Sequence, residues 1–186
     1  MPRCFWCTAD PLYIDYHDRE WGVPQRDPGV LFEFLLLEGF QAGLSWITIL
    51  KKRDRYREVL HGFDPQRLAQ LTDAEIEDFM QDPGIIRNRA KLRAARQNAQ
   101  AWLRLDDPSV WLWSFVGGVP KINHFGDRSE VPAITAEAEA MSKALKKAGF
   151  TFVGPTICYA FMQAMGLVMD HTLDCDRHAE LARSSA

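Results

Sequence analysis

Helix-start signals recur along this chain, whereas strand signals do not. At residues 27–28 and 64–65 an aspartate precedes a proline, which pairs an N-cap with the residue best suited to the first helical position. Thr72 and Glu75 have the spacing of a capping box. Between residues 92 and 102 apolar side chains recur at helical spacing, and no run alternates as a half-buried strand would. The sequence therefore predicts an all-α fold.

The 186 residues, 47% of them hydrophobic, are enough for one domain with a packed core. The predicted helices run from 28 towards 60 with a break near 39–43, from 65, from 73 to about 80, from 88 to about 105, from 108, from 135 to 148 and from 155 to 165. Residues 119–134 are expected to form a loop, and the small, polar tail after His178 is expected to fray.

The chain begins without the apolar region of a signal peptide, and its longest apolar runs are far too short to span a bilayer. We therefore expect a cytoplasmic protein, in which four cysteines are thiols or metal ligands rather than disulfides. The net charge of −3 argues mildly against a nonspecific polyanion binder. Basic segments at 51–57, 87–96 and 143–147 could still form a basic binding surface, and the alternative for each is a solvated helix surface.

Residues 73–103 read as two helices joined by the turn "DPGII", and they resemble a helix-hairpin-helix DNA-binding motif. Gly84 would supply the tight turn, and the N-terminus of the second helix would bind a phosphate without reading sequence. The side chains clustered at that end are Arg87, Asn88, Arg89 and Lys91. Many such hairpins have a second glycine where this chain has Ile86, so an ordinary helical hairpin with a basic flank remains the alternative.

Two pairs of metal-binding side chains stand at opposite ends of the chain. Cys4 and His17 are near the N-terminus, while His171 and Cys175 are four residues apart, so that they can share one side of a helical turn. Two thiolates and two imidazoles are a common structural zinc set with no open position for water. Unrelated thiols and histidines are one alternative, and a Cys4-x-x-Cys7 metal or redox pair is another.

The segment "LLLEGFQAGLSWITIL" (35–50) places one carboxylate, Glu38, among apolar residues. Gly39 and Gly43 interrupt its helical pattern, and Trp46 follows eight residues after the carboxylate. A solvent-reaching or ion-paired glutamate and a core tryptophan are the plain interpretations. A pocket for a cationic aromatic ligand is the functional one, since a buried carboxylate attracts the charge and tryptophan adds a cation–π contact.

Several long stretches are similar to the DNA-3-methyladenine glycosylase I family of bacterial repair enzymes. They are "DPLYIDYHDREWGVP", "LFEFLLLEGFQAGLSWITILKKR", "DPGIIRNRAKLRA", "WSFV" and "SKALKKAGFTFVGPTICYAFMQAMGLVMDH", and the resemblance covers residues 4–175. It implies a single helix-hairpin-helix glycosylase domain, excision of 3-methyladenine from alkylated double-stranded DNA, and one structural Zn²⁺ joining segments 1–20 and 166–180. Its ligands would be Cys4, His17, His171 and Cys175, leaving Cys7 outside the site.

The same resemblance assigns the pocket and the DNA contacts. Glu38 would recognise the base and Trp46 would stack on it. The remaining pocket residues implied are Tyr16, Trp21, Trp6 and Tyr13. The residues implied at the DNA surface, beside the hairpin, are Gln41, Gly43 and Leu44, with Leu44 filling the gap that the flipped nucleotide leaves.

Monofunctional hydrolysis by a monomer is expected, because the methylated base is already a cationic leaving group. Asp106 and Asp107 stand about where related hairpin enzymes have a catalytic aspartate, but this family is known for lacking one, so neither receives that role. The competing class is a zinc-stabilised helical DNA-binding module without catalysis, which would need no pocket built from Glu38, Tyr16 and Trp46.

Overall fold

A computed structural model describes residues 2–184 of the chain. Within this range the helices are α1 Pro11–Arg19, α2 Pro28–Gln41, α3 Trp46–Leu50, α4 Arg53–Val59, α5 Pro65–Ala69, α6 Asp73–Phe79, α7 Arg89–Trp102, α8 Pro108–Trp113, α9 Ala136–Lys147, α10 Pro155–Ala164 and α11 Asp176–Ser184. Single 3₁₀ turns occupy His61–Phe63, Ser114–Val116 and Arg128–Glu130. The protein is mostly helical, as predicted.

The predicted helix starts are confirmed by their capping hydrogen bonds. The Asp27 carboxylate accepts from the backbone N–H of Val30 at 3.0 Å, ahead of Pro28. Thr72 and Glu75 form the full capping box, each side chain accepting from the backbone N–H of the other residue. These contacts satisfy N–H groups that have no partner within the helix.

Helix α2 is the centre of the core. Every residue from 34 to 40 is buried, and α3, α7 and α10 pack around it. The helix is apolar all round, which is the pattern of a helix enclosed by other elements. A carboxylate on this helix is therefore surrounded by protein, which rules out the solvent-reaching interpretation of Glu38.

Two sequence predictions need correction here. The expected loop 119–134 contains β1 (Lys121–Ile122), which pairs in parallel with β2 (Val168–Met169). The pair is too short for an alternating pattern to be visible in the sequence. The expected frayed tail is helical as far as Ser184, because Leu181 is 6% exposed and anchors α11; residues 185–186 lie outside the described part.

Among residues 2–184, no helix combines the length and the apolar character that crossing a membrane requires.

Candidate functional site

A cavity of about 290 Å³ opens between the N-terminal segment, α2, α3 and α10. All six residues predicted for the base pocket line it: Trp6, Tyr13, Tyr16, Trp21, Glu38 and Trp46. Gln41, which the resemblance placed at the DNA surface, lines the cavity too, at the last turn of α2.

Glu38 is a buried carboxylate without a partner. It is 3% exposed, and its Oε2 atom is buried with no hydrogen-bond partner among the described residues. Burial raises the pKa of this carboxyl from 4.5 to about 8, since the charged form is disfavoured away from water. No Arg or Lys in the described part of the chain pairs with this carboxylate, so the ion-paired interpretation also fails.

Aromatic rings form one side of the cavity. The rings of Tyr16 and Trp46 are 5.4 Å apart, and the Trp6 ring lies 4.9 Å from Trp21 and 5.1 Å from Tyr13. The Nε1–H of Trp46 is buried and donates to no described group. Burial raises the pKa of Tyr16 well above its usual value, so the phenol keeps its proton.

The sequence missed the opposite wall. It includes Thr156, Tyr159, Ala160 and Gln163 from one face of α10, together with Asp170 after β2, and the loop residues Val131, Pro132 and Ala133 also line the cavity. These four helical positions follow the i, i+3, i+4, i+7 spacing, which is the signal that could have identified them.

Asp170 is 2% exposed, and its carboxylate is held by three donors. One oxygen accepts from Tyr159 Oη and from Gln163 Nε2 at 2.9 Å, and the other accepts from Asn123 Nδ2 at 2.7 Å. Unlike Glu38, this carboxylate is fully satisfied, which makes it part of a fixed wall rather than a group waiting for a ligand.

The two glycines beside Glu38 have different causes. Gly39 stays helical, and a Cβ there would touch Phe152 at 3.4 Å, so the glycine lets that segment pack closely. Helix α2 ends at Gln41, where a type II turn follows: Ala42 has φ −45° and ψ 117°, Gly43 has φ 80°, and Leu44 N–H donates to Gln41 O. The predicted loop between α2 and α3 is thus confirmed, and Gly43 is required by its positive φ. No described atom lies within 4 Å of where its Cβ would be.

Four metal-binding atoms converge at a second, fully buried place. The donor atoms of Cys4, His17, His171 and Cys175 all lie within 4.8 Å of one another. Sulfur-to-nitrogen distances are 3.3 Å for Cys4–His171, 3.4 Å for Cys175–His171 and 3.5 Å for Cys175–His17. Ligands about 2.0–2.3 Å from a tetrahedral ion lie at comparable distances from one another, so the set fits Zn²⁺.

The outer nitrogens of both imidazoles are already engaged. His17 Nδ1 is 2.8 Å from the carboxylate of Asp18, which Arg3 holds in turn, and His171 Nε2 is 2.9 Å from the carbonyl oxygen of Trp21. Since carbonyl and carboxylate oxygens only accept, each imidazole has its proton on the outer nitrogen and a lone pair facing the cluster. Oriented second partners of this kind are typical of metal-binding histidines.

The two sulfur atoms also interact. Their hydrogen bond raises the pKa of Cys4 and lowers the pKa of Cys175, so a bound cation is what would allow both thiols to ionise. Cys7 lies outside the cluster, where its Sγ donates to the carbonyl oxygens of Thr8 and Tyr13.

Residues 73–102 form two helices joined by a turn, as predicted, but the reason given for Gly84 was wrong. Its φ is not positive. A Cβ there would lie 2.6 Å from Cγ of Arg55 and 2.9 Å from the Asp82 carboxylate, so close packing is what favours glycine. The N–H of Ile86, at the position of the second glycine in related hairpins, donates to Tyr56 Oη at 3.1 Å.

The polar residues of the hairpin differ in their availability. Arg87 is exposed and has no partner among the described residues. Asn88 caps α7 through the N–H of Lys91, and Arg89 is exposed in a two-bond ion pair with Glu77. Lys91 was expected at the phosphate, but it is 7% exposed and its ammonium donates to backbone carbonyls inside the protein, which contradicts that role.

The basic segment at 51–57 is largely committed to holding the fold. The ion pairs that use its cations join Lys51 to Asp10, Arg53 to Glu20, Arg55 to Asp82 and Glu58, and Arg57 to Glu33 and Asp54. Lys52 donates to the carbonyl oxygen of Pro83, at the hairpin turn. Asp107, at the place of the catalytic aspartate in related hairpin enzymes, caps α8.

Comparisons with known proteins agree with this geometry. A family model for methyladenine glycosylase matches residues 6–178. DNA-3-methyladenine glycosylase 1 of Escherichia coli K12 is 52% identical over 179 residues, which cover 94% of this chain and 96% of that protein.

Solved structures are similar throughout the chain. A crystal structure of a 3-methyladenine DNA glycosylase I superposes with a TM-score of 0.93 at 51% identity, covering 94% of this chain and 98% of the other. A Y16F variant of a 3-methyladenine DNA glycosylase I in complex with 3-methyladenine has a TM-score of 0.91 at 39% identity, with coverage of 95% and 97%. The chain therefore belongs to the methyladenine glycosylase family, and its activity is that of a 3-methyladenine DNA glycosylase.

Proposed function

We propose that the protein hydrolyses the N-glycosidic bond of 3-methyladenine in alkylated DNA, with the released base held in the cavity floored by Glu38. Water adds to the anomeric carbon of the sugar, the bond electrons return to the cationic base, and a proton passes to solvent. The products are free 3-methyladenine and an abasic site. None of the described residues that line the cavity is a lysine, which supports hydrolysis without a Schiff base or strand cleavage.

The observation that carries this proposal is a pair of buried polar atoms without partners. Only three buried side-chain polar atoms of residues 2–184 lack a partner, and two of them, Glu38 Oε2 and Trp46 Nε1, belong to cavity-lining residues. An unpaired buried polar atom costs about 1–3 kcal/mol, so its persistence in two side chains that line the same cavity points to a ligand that pairs with them.

Charge explains how Glu38 would favour a damaged base. At neutral pH its raised pKa leaves the empty pocket mostly uncharged. A methylated purine brings a positive charge, which favours the carboxylate form and is attracted by it. An undamaged base is neutral, so Glu38 stays protonated beside it and the charge attraction that favours the methylated base is absent.

We propose that the turn 41–44 and the hairpin hold the DNA. Leu44 is 39% exposed at the end of that turn and is an apolar wedge for the gap left by the flipped nucleotide. Arg87 and Arg89 bind phosphates near the N-terminus of α7, with Asn88 holding that terminus in place. Binding is therefore independent of sequence and weakened by salt.

One structural Zn²⁺ per chain is proposed for the four-residue cluster. It would hold the N-terminal segment, which supplies Cys4 and the pocket residue Trp6, against the segment that supplies His171 and Cys175. When bound, the ion supplies folding free energy rather than chemistry, since four protein ligands leave no open position. We also propose that the chain works as a single domain and a monomer in the cytoplasm, where DNA is present and all four cysteines stay reduced.

The second candidate, a DNA-binding module without catalysis, shares the hairpin and the metal cluster but gives no reason for the two unpaired atoms in the cavity. Incubating the purified protein with methylated DNA and identifying the released bases separates the two. We expect free 3-methyladenine and, after borohydride reduction, no covalent protein–DNA adduct. Tight DNA binding without base release would favour the module, and an adduct would refute monofunctional hydrolysis.

A further inference from the structure

We infer that Lys91 is a positioning residue that fixes the DNA wedge relative to the hairpin, rather than a phosphate contact. This inference rests on the proposed role of the turn 41–44. Lys91 lies in the first turn of α7, the second helix of the hairpin, yet its side chain points into the protein and is 7% exposed.

The ammonium group of Lys91 joins three functional segments. Its Nζ atom donates to the carbonyl oxygen of Phe40 at 2.7 Å and to that of Ala42 at 2.7 Å. Phe40 belongs to the last turn of α2, two residues after Glu38, and Ala42 is the first central residue of the turn that presents Leu44. One cation thus connects the hairpin helix, the base pocket and the wedge.

The groups around Lys91 indicate that its ammonium holds backbone carbonyl oxygens in place rather than forming an ion pair. The described partners of the Lys91 ammonium are two backbone carbonyl oxygens rather than a carboxylate, and burial lowers the pKa of this group. Its charge is compensated only by carbonyl oxygens at the C-terminus of α2, the end of a helix that attracts cations. Those carbonyls would otherwise lack a helical partner, so Lys91 replaces the next turn of helix while leaving the chain free to turn at Gly43.

The consequence for the reaction is geometric. The turn 41–44 has open space around Gly43 and an exposed tip, so little else holds it from the outside. If Lys91 sets the orientation of the turn 41–44, the phosphate site at the N-terminus of α7 and the wedge residue Leu44 keep a fixed position relative to each other. Losing the ammonium should leave the pocket able to bind a free base while the lesion in a duplex is no longer flipped efficiently.

The test compares Lys91→Met with Leu44→Ala, with wild type and with Lys121→Met, which removes an ammonium that is paired to Glu137 and does not line the cavity. Three readouts are needed: affinity for free 3-methyladenine, single-turnover excision from methylated duplex DNA, and fluorescence of a 2-aminopurine placed beside a tetrahydrofuran abasic analogue. For Lys91→Met we expect unchanged affinity for the free base, a loss of excision of about tenfold or more, and loss of the 2-aminopurine response. Leu44→Ala should lose the same response, and Lys121→Met should match wild type.

Each other outcome decides the matter. Normal excision by Lys91→Met overturns the inference. An equal loss of free-base binding and excision overturns it too, because that result would show that Lys91 only stabilises the structure. A wild-type 2-aminopurine response from Leu44→Ala would refute the wedge role of Leu44 and the inference about Lys91 with it. The proposed glycosylase activity is tested separately, because it requires only that the wild-type protein release the base. Should Lys91→Met not fold, Lys91→Gln is measured in the same way, and failure of both to fold would assign Lys91 to stability alone.

Discussion

Replacing Glu38 by Gln tests whether this side chain selects the base or breaks the bond. The substitution keeps the shape of the side chain but replaces one acceptor oxygen by an NH₂ donor and removes the charge that the lesion favours. With a cationic lesion bound, the carboxylate only accepts hydrogen bonds. It therefore suits the exocyclic amine of 3-methyladenine and opposes the O6 carbonyl of 3-methylguanine.

The size of the effect follows from the burial of the carboxylate. Glu38 is 3% exposed and Oε2 has no other described partner, so an acceptor facing an acceptor cannot be relieved by water. Such a mismatch costs about 1–3 kcal/mol, which corresponds to a preference of about 5- to 150-fold for the adenine lesion. The Gln variant can turn its amide group to serve either base, so it should lose most of that preference.

The assay is single-turnover release of 3-methyladenine and 3-methylguanine from the same methylated DNA. Wild type should release 3-methyladenine strongly, 3-methylguanine poorly and 7-methylguanine hardly at all, while Glu38→Gln should narrow the ratio of the first two. Trp46→Ala is the control, since loss of the stacking face weakens both lesions alike. An unchanged ratio with a uniform collapse in rate would mean that Glu38 acts on the bond, and the reasoning would be refuted.

Three further predictions concern the metal, the DNA and pH. Metal analysis of the purified protein should find about one zinc per chain, lost in Cys175→Ser and kept in Cys7→Ser; equal zinc in both variants would contradict the ligand set. Arg87→Ala combined with Arg89→Ala should weaken binding to undamaged duplexes of any sequence and flatten its salt dependence, whereas wild-type affinity would make the hairpin a structural turn. Because the pKa of Glu38 is about 8 in the folded protein and 4.5 otherwise, the unfolded chain loses this proton first as pH rises. Its contribution to the free energy of unfolding should thus fall by about 3 kcal/mol between pH 5 and pH 8, and Glu38→Gln should remove that slope in chemical denaturation curves; identical slopes would show that the carboxyl is not buried as described.

The helices between residues 28 and 165 were predictable because their signals are local, whereas α1 and α11 were not predicted. The caps at Asp27 and Thr72 and the break before Trp46 depend on neighbours within a few residues, and the structure has all of them. The pocket residues came instead from the family resemblance. From the sequence alone Glu38 favoured a plain interpretation, because nothing local shows that α2 is enclosed on every side.

The errors arose where distant segments meet. Lys91 has the sequence context of a phosphate-binding residue, and only the approach of the α2 C-terminus turns its ammonium inwards. Gly84, in the turn between α6 and α7, owes its place to Arg55 of α4, 29 positions away, rather than to its own backbone angles. Asp170 was overlooked because its three donors come from two separate segments, with Tyr159 and Gln163 on α10 and Asn123 after β1.

The most direct test of the central claim is a crystal structure of this protein with 3-methyladenine bound. The account predicts the base in the 290 Å³ cavity, stacked against Trp46, with its exocyclic amine donating to a carboxylate oxygen of Glu38. A base bound outside this cavity, or one whose amine faces away from Glu38, would contradict the claim that this carboxylate recognises the lesion.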